Sequence, residues 1–449
     1  MHFERIFIPD EYHGTAAEAF EKLDRRHREI HAGLDANKAA YRKFLEDSSS
    51  AIVSAKAALE SCSRSFDIRK LAACTHGDTN TFYILCGWMT EKDALAFQKD
   101  IQNDEKIFCL MEDQQAPAKK KPPTKLKNPK LFKPFEMYVK MYGLPAYNEM
   151  DPTWFVAITY SFIFGAMFGD VGQGLILFLG GLFLYKTKHM DLAGIISCAG
   201  VFSVFFGFMY GSFFGFEDVL KAIWLKPMNQ MMDVPLVGRL NAVFVIAIGF
   251  GMFIILICMV FNIINSIRNK NIEKTWFDSN AVAGLVFYGS IVLTIGLFIS
   301  GKKLPAAAVL MFGIPLILMF LKEPLTNLVE KKAQIFPEQK GMFFVQSFFE
   351  LFEVLLSYLS NTLSFLRIGA FAVSHAAMME VVLMLAGATE GGSPNWIVVV
   401  LGNIFVCAME GLIVGIQVLR LEYYEIFSRF YTGNGREFQP FMKKNSKTI

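Results

Sequence analysis

Charge is scarce in this chain of 449 residues: Asp, Glu, Lys and Arg make up 19% of it, against about 25% in ordinary soluble domains. The net charge of +3 is too small for a nucleic-acid footprint, and no compact basic patch with interleaved aromatics occurs. The cysteines, Cys62, Cys74, Cys86, Cys109, Cys198, Cys258 and Cys407, are odd in number and scattered, and none forms a Cys-x-x-Cys pair. That pattern argues against a disulfide framework or a metal site and for reduced thiols. There is no Gly-x-x-x-x-Gly-Lys-Ser/Thr loop, Rossmann glycine fingerprint, His-Glu-x-x-His or nucleophile elbow. The chain is therefore expected to bind no nucleotide, to carry no cofactor or metal, and to do no enzyme chemistry alone. Met1 to Asp10 lacks the apolar core of a secretory signal and precedes a charged stretch, so the start is read as cytoplasmic.

What the chain has is apolar bulk: 53% hydrophobic residues, with 45 phenylalanines. This implies a mainly α, polytopic membrane protein. Apolar segments run over approximately 153–185, 191–216, 240–266, 281–300, 304–321, 344–386 and 396–428. In the first, Gly165-Ala-Met-Phe-Gly-Asp170-Val-Gly-Gln-Gly174 inserts four glycines and a carboxylate, so it is one span or two. Read as a hairpin, it gives eight spans with both termini cytoplasmic. Most loop Lys and Arg then lie on the cytoplasmic side, with Lys221, Lys226, Arg239, Lys302 and Lys303 opposite; a single span inverts the bias. The seventh segment, at about 64 Å of helix, is far longer than a hydrocarbon core of about 30 Å. The last two helices are accordingly expected to be long and tilted.

Ahead of the membrane region (151–430), residues 1–115 read as a small α+β cytoplasmic domain. Ala16 to about Cys62 is a charged helix with Phe20, Leu23, Ile30, Leu34, Tyr41, Phe44, Leu45 and Ile52 at spacings of three, four and seven, one strand of a coiled coil. A strand at Thr81–Met89, a helix from Glu91 and a strand at Lys106–Met111 follow. Residues 116–150 read as a basic linker, four prolines and seven lysines falling between Ala116 and Lys133, and 431–449 as a cytoplasmic tail.

Arg367 stands in an otherwise apolar stretch. An arginine at a bilayer centre costs about 3 kcal/mol on insertion scales, and its guanidinium keeps its proton, so an ion path, a counter-charge or a wet cavity is implied. At 100° per residue, Glu353, Ser357, Ser360, Ser364, Arg367, Ser374 and His375 share a sector of about 100° on the seventh helix, with Glu380 roughly opposite. On the eighth helix Asn403, Glu410 and Gln417 recur every seven residues, with Arg420 and Tyr424 adjoining. Such stripes either line aqueous routes or glue helices together. His375 suits a proton relay or a packing contact, and Asp170 a channel lining or a tight turn and cap.

Pro152-Thr-Trp, Phe164-Gly-Ala-Met-Phe-Gly-Asp-Val-Gly-Gln-Gly174, Leu363-Ser-Phe-Leu-Arg-Ile-Gly-Ala-Phe-Ala-Val-Ser-His375, Met409-Glu-Gly411 and Leu419-Arg-Leu421 resemble the stator subunit, a or I, of vacuolar and archaeal-type rotary ATPases. Cys86-Gly-Trp-Met-Thr-Glu91, Pro122-Pro-Thr124 and Tyr142-Gly-Leu-Pro145 resemble that family's membrane-proximal soluble part. The resemblance implies that Arg367 is the stator arginine facing a rotor ring of c/K-type proteolipid subunits, with Glu410, Arg420 and His375 beside it. It implies half-channels for H⁺ or Na⁺, and peripheral-stalk and central-stalk-associated subunits as further partners. It also implies a bacterial or archaeal cell membrane rather than a eukaryotic endomembrane. Gln417 departs from the histidine usual in eukaryotic relatives. So does the start: relatives begin with a two-lobed domain and both coiled-coil strands, whereas this chain begins at the return strand. A guanidinium beside a passing rotor carboxylate favours its ionised form and so releases its ion. Against this stand two other readings: a stand-alone secondary transporter or channel, which would show matching broken helices in two repeats, and a purely structural anchor, which leaves Arg367 unexplained.

Overall fold

In this computed structural model the described residues are 15–71, 73–76, 81–102, 104, 106–111, 122–216, 219–228, 230–234, 238–301, 307–331, 339–388 and 394–438. The chain divides into two units, Met1–Glu112 and Asp113–Ile449. The expected basic stretch at 116–121, Lys302 and Lys303, and the tail from 439 lie outside the described residues.

In the first unit, α1 (Ala16–Leu71) is a single helix of 56 residues. Phe20, Leu23, Ile30, Leu34, Tyr41, Phe44, Leu45 and Ile52 are all exposed along it, so its apolar positions meet nothing within the unit. Strand β1 (Ala73–His76) pairs antiparallel with β2 (Thr81–Ile84), and α2 (Glu91–Ile101) follows, capped by the Thr90 hydroxyl on the Asp93 amide. Residues 106–111 are not a strand. The segment at Thr81 pairs instead with its immediate predecessor, the shorter and entropically cheaper loop to close.

The second unit opens on residues the sequence marked as linker, but 122–150 is packed chain. A short turn at Lys133–Phe135 leads into α3 (Glu136–Tyr142), and Phe135, Tyr138 and Val139 are buried. Apolar and aromatic residues interleaved among the lysines supply an inward face. Residues 431–438 dock here rather than trailing free: Thr124 N–H donates to Arg436 O at 2.7 Å, Gly435 N–H to Leu144 O at 2.8 Å, and Phe438 N–H to Thr124 O at 3.1 Å.

Helix α4 (Thr153–Met167) is buried on most of its surface and forms the centre of the bundle. The chain then breaks at residues 168–170 and returns as α5 (Val171–Lys188), followed by α6 (Asp191–Tyr210). Gly165 of α4 and Gly174 of α5 both abut α6 near Phe202 and Ser203, while Gly181 abuts Ala193 and Ser197. Thus α4 runs alongside α6 in one direction and α5 in the other; the break is a reversal. A Cβ at Gly181 or Gly200 would fall 2.8 Å from Ser197 N or 2.6 Å from Phe178 N, so both positions need a residue without a side chain for α5 and α6 to approach this closely.

Beyond a small hairpin of β3 (Met231–Val234) and β4 (Gly238–Asn241) come α7 (Ala242–Arg268), α8 (Ile272–Trp276), α9 (Val282–Ile299) and α10 (Ala307–Phe320). Next come α11 (Lys322–Val329), α12 (Lys340–Ser364), α13 (Leu366–Leu385), α14 (Trp396–Leu421), a π-turn over Glu422–Phe427 and α15 (Ser428–Phe430). A 74° bend separates the helix ending at Phe320 from α11. The seventh apolar segment, expected as one helix, tightens at Phe365, whose amide reaches back to Thr362 O at 3.3 Å; the fully buried Phe365 ring packs on Gly251 of α7.

Among the described residues, Asp191–Tyr210, Ala242–Arg268, Val282–Ile299, Gly341–Leu385 and Trp396–Phe430 are long and apolar enough to cross a membrane, and the bent pair Leu310–Phe320 with Lys322–Val329 adds a sixth. These are fewer than eight, because α4 at 15 residues is about 22 Å long against a core of about 30 Å, and α5 does not meet the same test. The last two stretches, 45 and 35 residues, have the length expected of them.

Candidate functional site

The polar residues of the last helices fall into separate groups rather than one stripe. Arg367, in the first turn of α13, is half-buried. Its Nη2 donates to Ser364 Oγ at 3.3 Å, and the Ser364 hydroxyl in turn donates to Glu425 Oε1. Nη1 is buried with no hydrogen-bond partner among the described residues. Arg420 and Glu425 are the charged neighbours within range, so two guanidiniums share one nearby carboxylate. Glu353, Ser357 and Ser360 of α12 lie exposed on the side leading to Arg367, as does Arg420 on α14. Around them Phe352, Leu356, Leu359, Leu363, Leu412 and Ile416 are also exposed, so this wall is covered by nothing in the chain itself. Ser374 is exposed and Gln417 half-buried.

Glu410 does not sit beside Arg367. It is 2% exposed and meets His375 instead, Oε2 to Nδ1 at 2.5 Å. His375 Nε2 and Glu410 Oε1 are buried without a protein partner, and the Phe168 ring lies 4.7 Å from the imidazole. One turn further along α13 and two along α14, Gln173 Nε2 donates to Asn403 Oδ1 at 2.9 Å and lies 3.2 Å from Met379 Sδ. The partner of Asn403 is thus a residue that sequence reading passed over; its signal was the FGDVGQG run, where glutamine follows the break on the buried face.

Asp170 is fully buried at the reversal, and its carboxylate is fully engaged. Oδ1 accepts from Gln173 N at 2.9 Å and Phe214 N at 3.0 Å; Oδ2 accepts from Gly215 N at 2.9 Å and the Ser212 hydroxyl at 2.7 Å. It caps α5 and ties the 212–215 turn to it.

The end of α14 holds further charges not singled out from the sequence. Glu422 is fully buried near Thr159, and Arg429 is buried, donating from Nη1 to Asn280 Oδ1 at 3.1 Å with its guanidinium 5.7 Å from the Tyr358 ring centre. Glu422, Glu425 and Arg429 are spaced three and four apart among aromatics, a helical-face pattern that was legible. The π-turn that aims them was not. On another side of α12, Glu353 and Ser357 border a cavity of about 330 Å³ that also meets the ion pair Lys322 Nζ–Glu350 Oε2 at 2.8 Å.

The profile of the V-type ATPase 116kDa subunit family matches residues 3–232 and 323–443. The chain belongs to that family. Within the V-type ATPase 116kDa subunit family, it is 29% identical over 393 residues to the A-type ATP synthase subunit I of Pyrococcus horikoshii, covering 82% of this chain and 54% of the relative. It is 26% identical over 406 residues to that of Methanocaldococcus jannaschii, covering 83% and 56%, and 30% identical over 355 residues to that of Aeropyrum pernix, covering 71% and 51%. The chain spans about half the length of the curated relatives it matches.

Proposed function

We propose that the chain is the membrane stator subunit of a rotary V/A-type ATPase or ATP synthase, the role that the names of its curated relatives suggest. The observation that carries this reading is Arg367: a permanent cation, half-buried on a wall that nothing in the chain covers, with Nη1 unpartnered among the described residues. A rotor carboxylate passing that wall would complete the guanidinium and be held ionised by it, so its ion would leave. Glu353, Ser357, Ser360 and Ser364 on one side and Ser374, His375, Asn403 and Glu410 on the other are assigned to two half-channels, with Gln417 and Arg420 between them. Asp170 braces the hairpin that supports the second group.

The proposal includes eight spans, obtained by counting the α4–α5 hairpin with the six apolar stretches, and both termini in the cytoplasm. It also includes the rotor ring of c/K-type proteolipids, the peripheral stalk and a central-stalk-associated subunit as partners. The chain would supply no nucleotide chemistry. A stand-alone transporter is less well supported: its two broken helices should face one site, whereas here α5 packs on α6 and the bent α11 on α8.

The test is ATP-driven ion uptake by vesicles holding the complete complex, normalised to assembled complex. Arg367→Ala is expected to assemble and to abolish uptake; near-normal uptake would overturn the stator reading.

A further inference from the structure

The stator reading gives Glu425 no part, yet one side chain joins it to Arg367. Arg367 Nη2 donates to the Ser364 oxygen at 3.3 Å, and the Ser364 hydroxyl spends its own proton on Glu425 Oε1. Serine is used fully, as acceptor on one side and donor on the other. Glu425 is 6% exposed while its neighbour Tyr424 is 70% exposed, so the carboxylate is turned into the protein. The π-turn explains this orientation. Over Glu422–Phe427 the backbone winds one residue wider per turn than an α-helix, which re-aims the residues after Arg420. The charged groups facing Glu425 are Arg367 from α13, Arg420 from α14 and Arg429 from α15.

A buried carboxylate is retained in an apolar wall only where charge and hydrogen bonds compensate it. Here it stands at the back of the guanidinium, on the Nη2 side, leaving Nη1 without a partner. Resting on the reading of Arg367 as the stator arginine, we propose that Glu425 is a positioning residue. Through Ser364 it fixes the guanidinium plane, partly neutralises it between rotor carboxylates, and reserves Nη1 for the rotor.

The sign of the consequence follows. Removing the Glu425 charge leaves Arg367 more strongly positive, which lowers the affinity of the rotor carboxylate for its ion; the alkaline limb of uptake against pH therefore moves to lower pH. Loss of a charge-assisted hydrogen bond corresponds to about a tenfold fall in rate.

The experiment compares Glu425→Gln, Ser364→Ala, the double variant and Arg367→Ala in vesicles of the full complex, reading ATP-driven uptake per assembled complex across pH. Support is a fall of about tenfold with the acid shift in Glu425→Gln, and a double variant no worse than Glu425→Gln, because serine acts along the same bridge. Unchanged uptake and pH profile in Glu425→Gln, while Arg367→Ala is inactive, overturns the proposal and leaves the stator reading standing. Uptake by Arg367→Ala overturns both. Should Glu425→Gln fail to assemble, Ser364→Ala decides: normal uptake overturns the proposal, and reduced uptake with a shifted limb supports it.

Discussion

His375 Nδ1 and Glu410 Oε2 lie 2.5 Å apart between α13 and α14, in a pocket that leaves each residue's other polar atom without a protein partner. A pair this close and this dry shares a proton between its members, and the two outward atoms give that proton an exit at either end. Glu410 therefore acts with histidine, not with Arg367.

Coupling between the two is the first expectation. Glu410→Gln and His375→Ala should each slow uptake without preventing assembly, and the double variant should depart from additivity by about 0.5–3 kcal/mol. Additive losses would make them independent packing residues.

Arg367→Lys should be severely impaired although it keeps the charge. Lysine lacks the second nitrogen that meets Ser364 while the first stays open, and it loses its proton readily when desolvated. Uptake above half of the unsubstituted level would show that charge alone suffices.

For the topology, a cysteine at Ser300, exposed at the end of α9, should react with an impermeant thiol reagent from outside, and one at Asn271 from inside only. The opposite labelling would remove the α4–α5 hairpin from the count of spans.

Asp170→Ala strips the acceptor from three backbone amides and one hydroxyl at a fully buried turn. A loss of about 3 kcal/mol is expected, seen as a lower melting temperature and less assembled complex, while the surviving complexes turn over normally. Normal stability with slowed turnover would instead place Asp170 on the ion path.

Helix positions were legible because apolar runs broken by Gly, Pro and charge leave few alternatives: α6, α7, α9 and α14 begin within two residues of where the pattern starts them. The reversal at Asp170 was legible as one of two options, and the contacts of α4 and α5 with α6 select it. The continuous polar stripe was not a property of the fold, since 100° per residue carries through Phe365 only if the helix does, and the close approach of that ring to Gly251 interrupts the winding. Likewise Gln173, on another helix and 230 positions away, could not be assigned to Asn403 by periodicity. Residues 122–150 looked like linker because lysine and proline dominate their first half; the burial of Phe135 and Val139 depends on partners distant in sequence.

The wide turn at Glu422–Phe427 constrains evolution by count rather than by identity. Deleting one residue there would restore ordinary winding and swing everything after it by about 100°. Arg429 would then leave Asn280, and the backbone after it would leave Asn265, whose amide now holds Phe430 O at 3.0 Å. Side chains between Arg420 and Arg429 are free to drift among descendants, whereas insertions and deletions in that interval should be purged even where each resulting residue looks conservative.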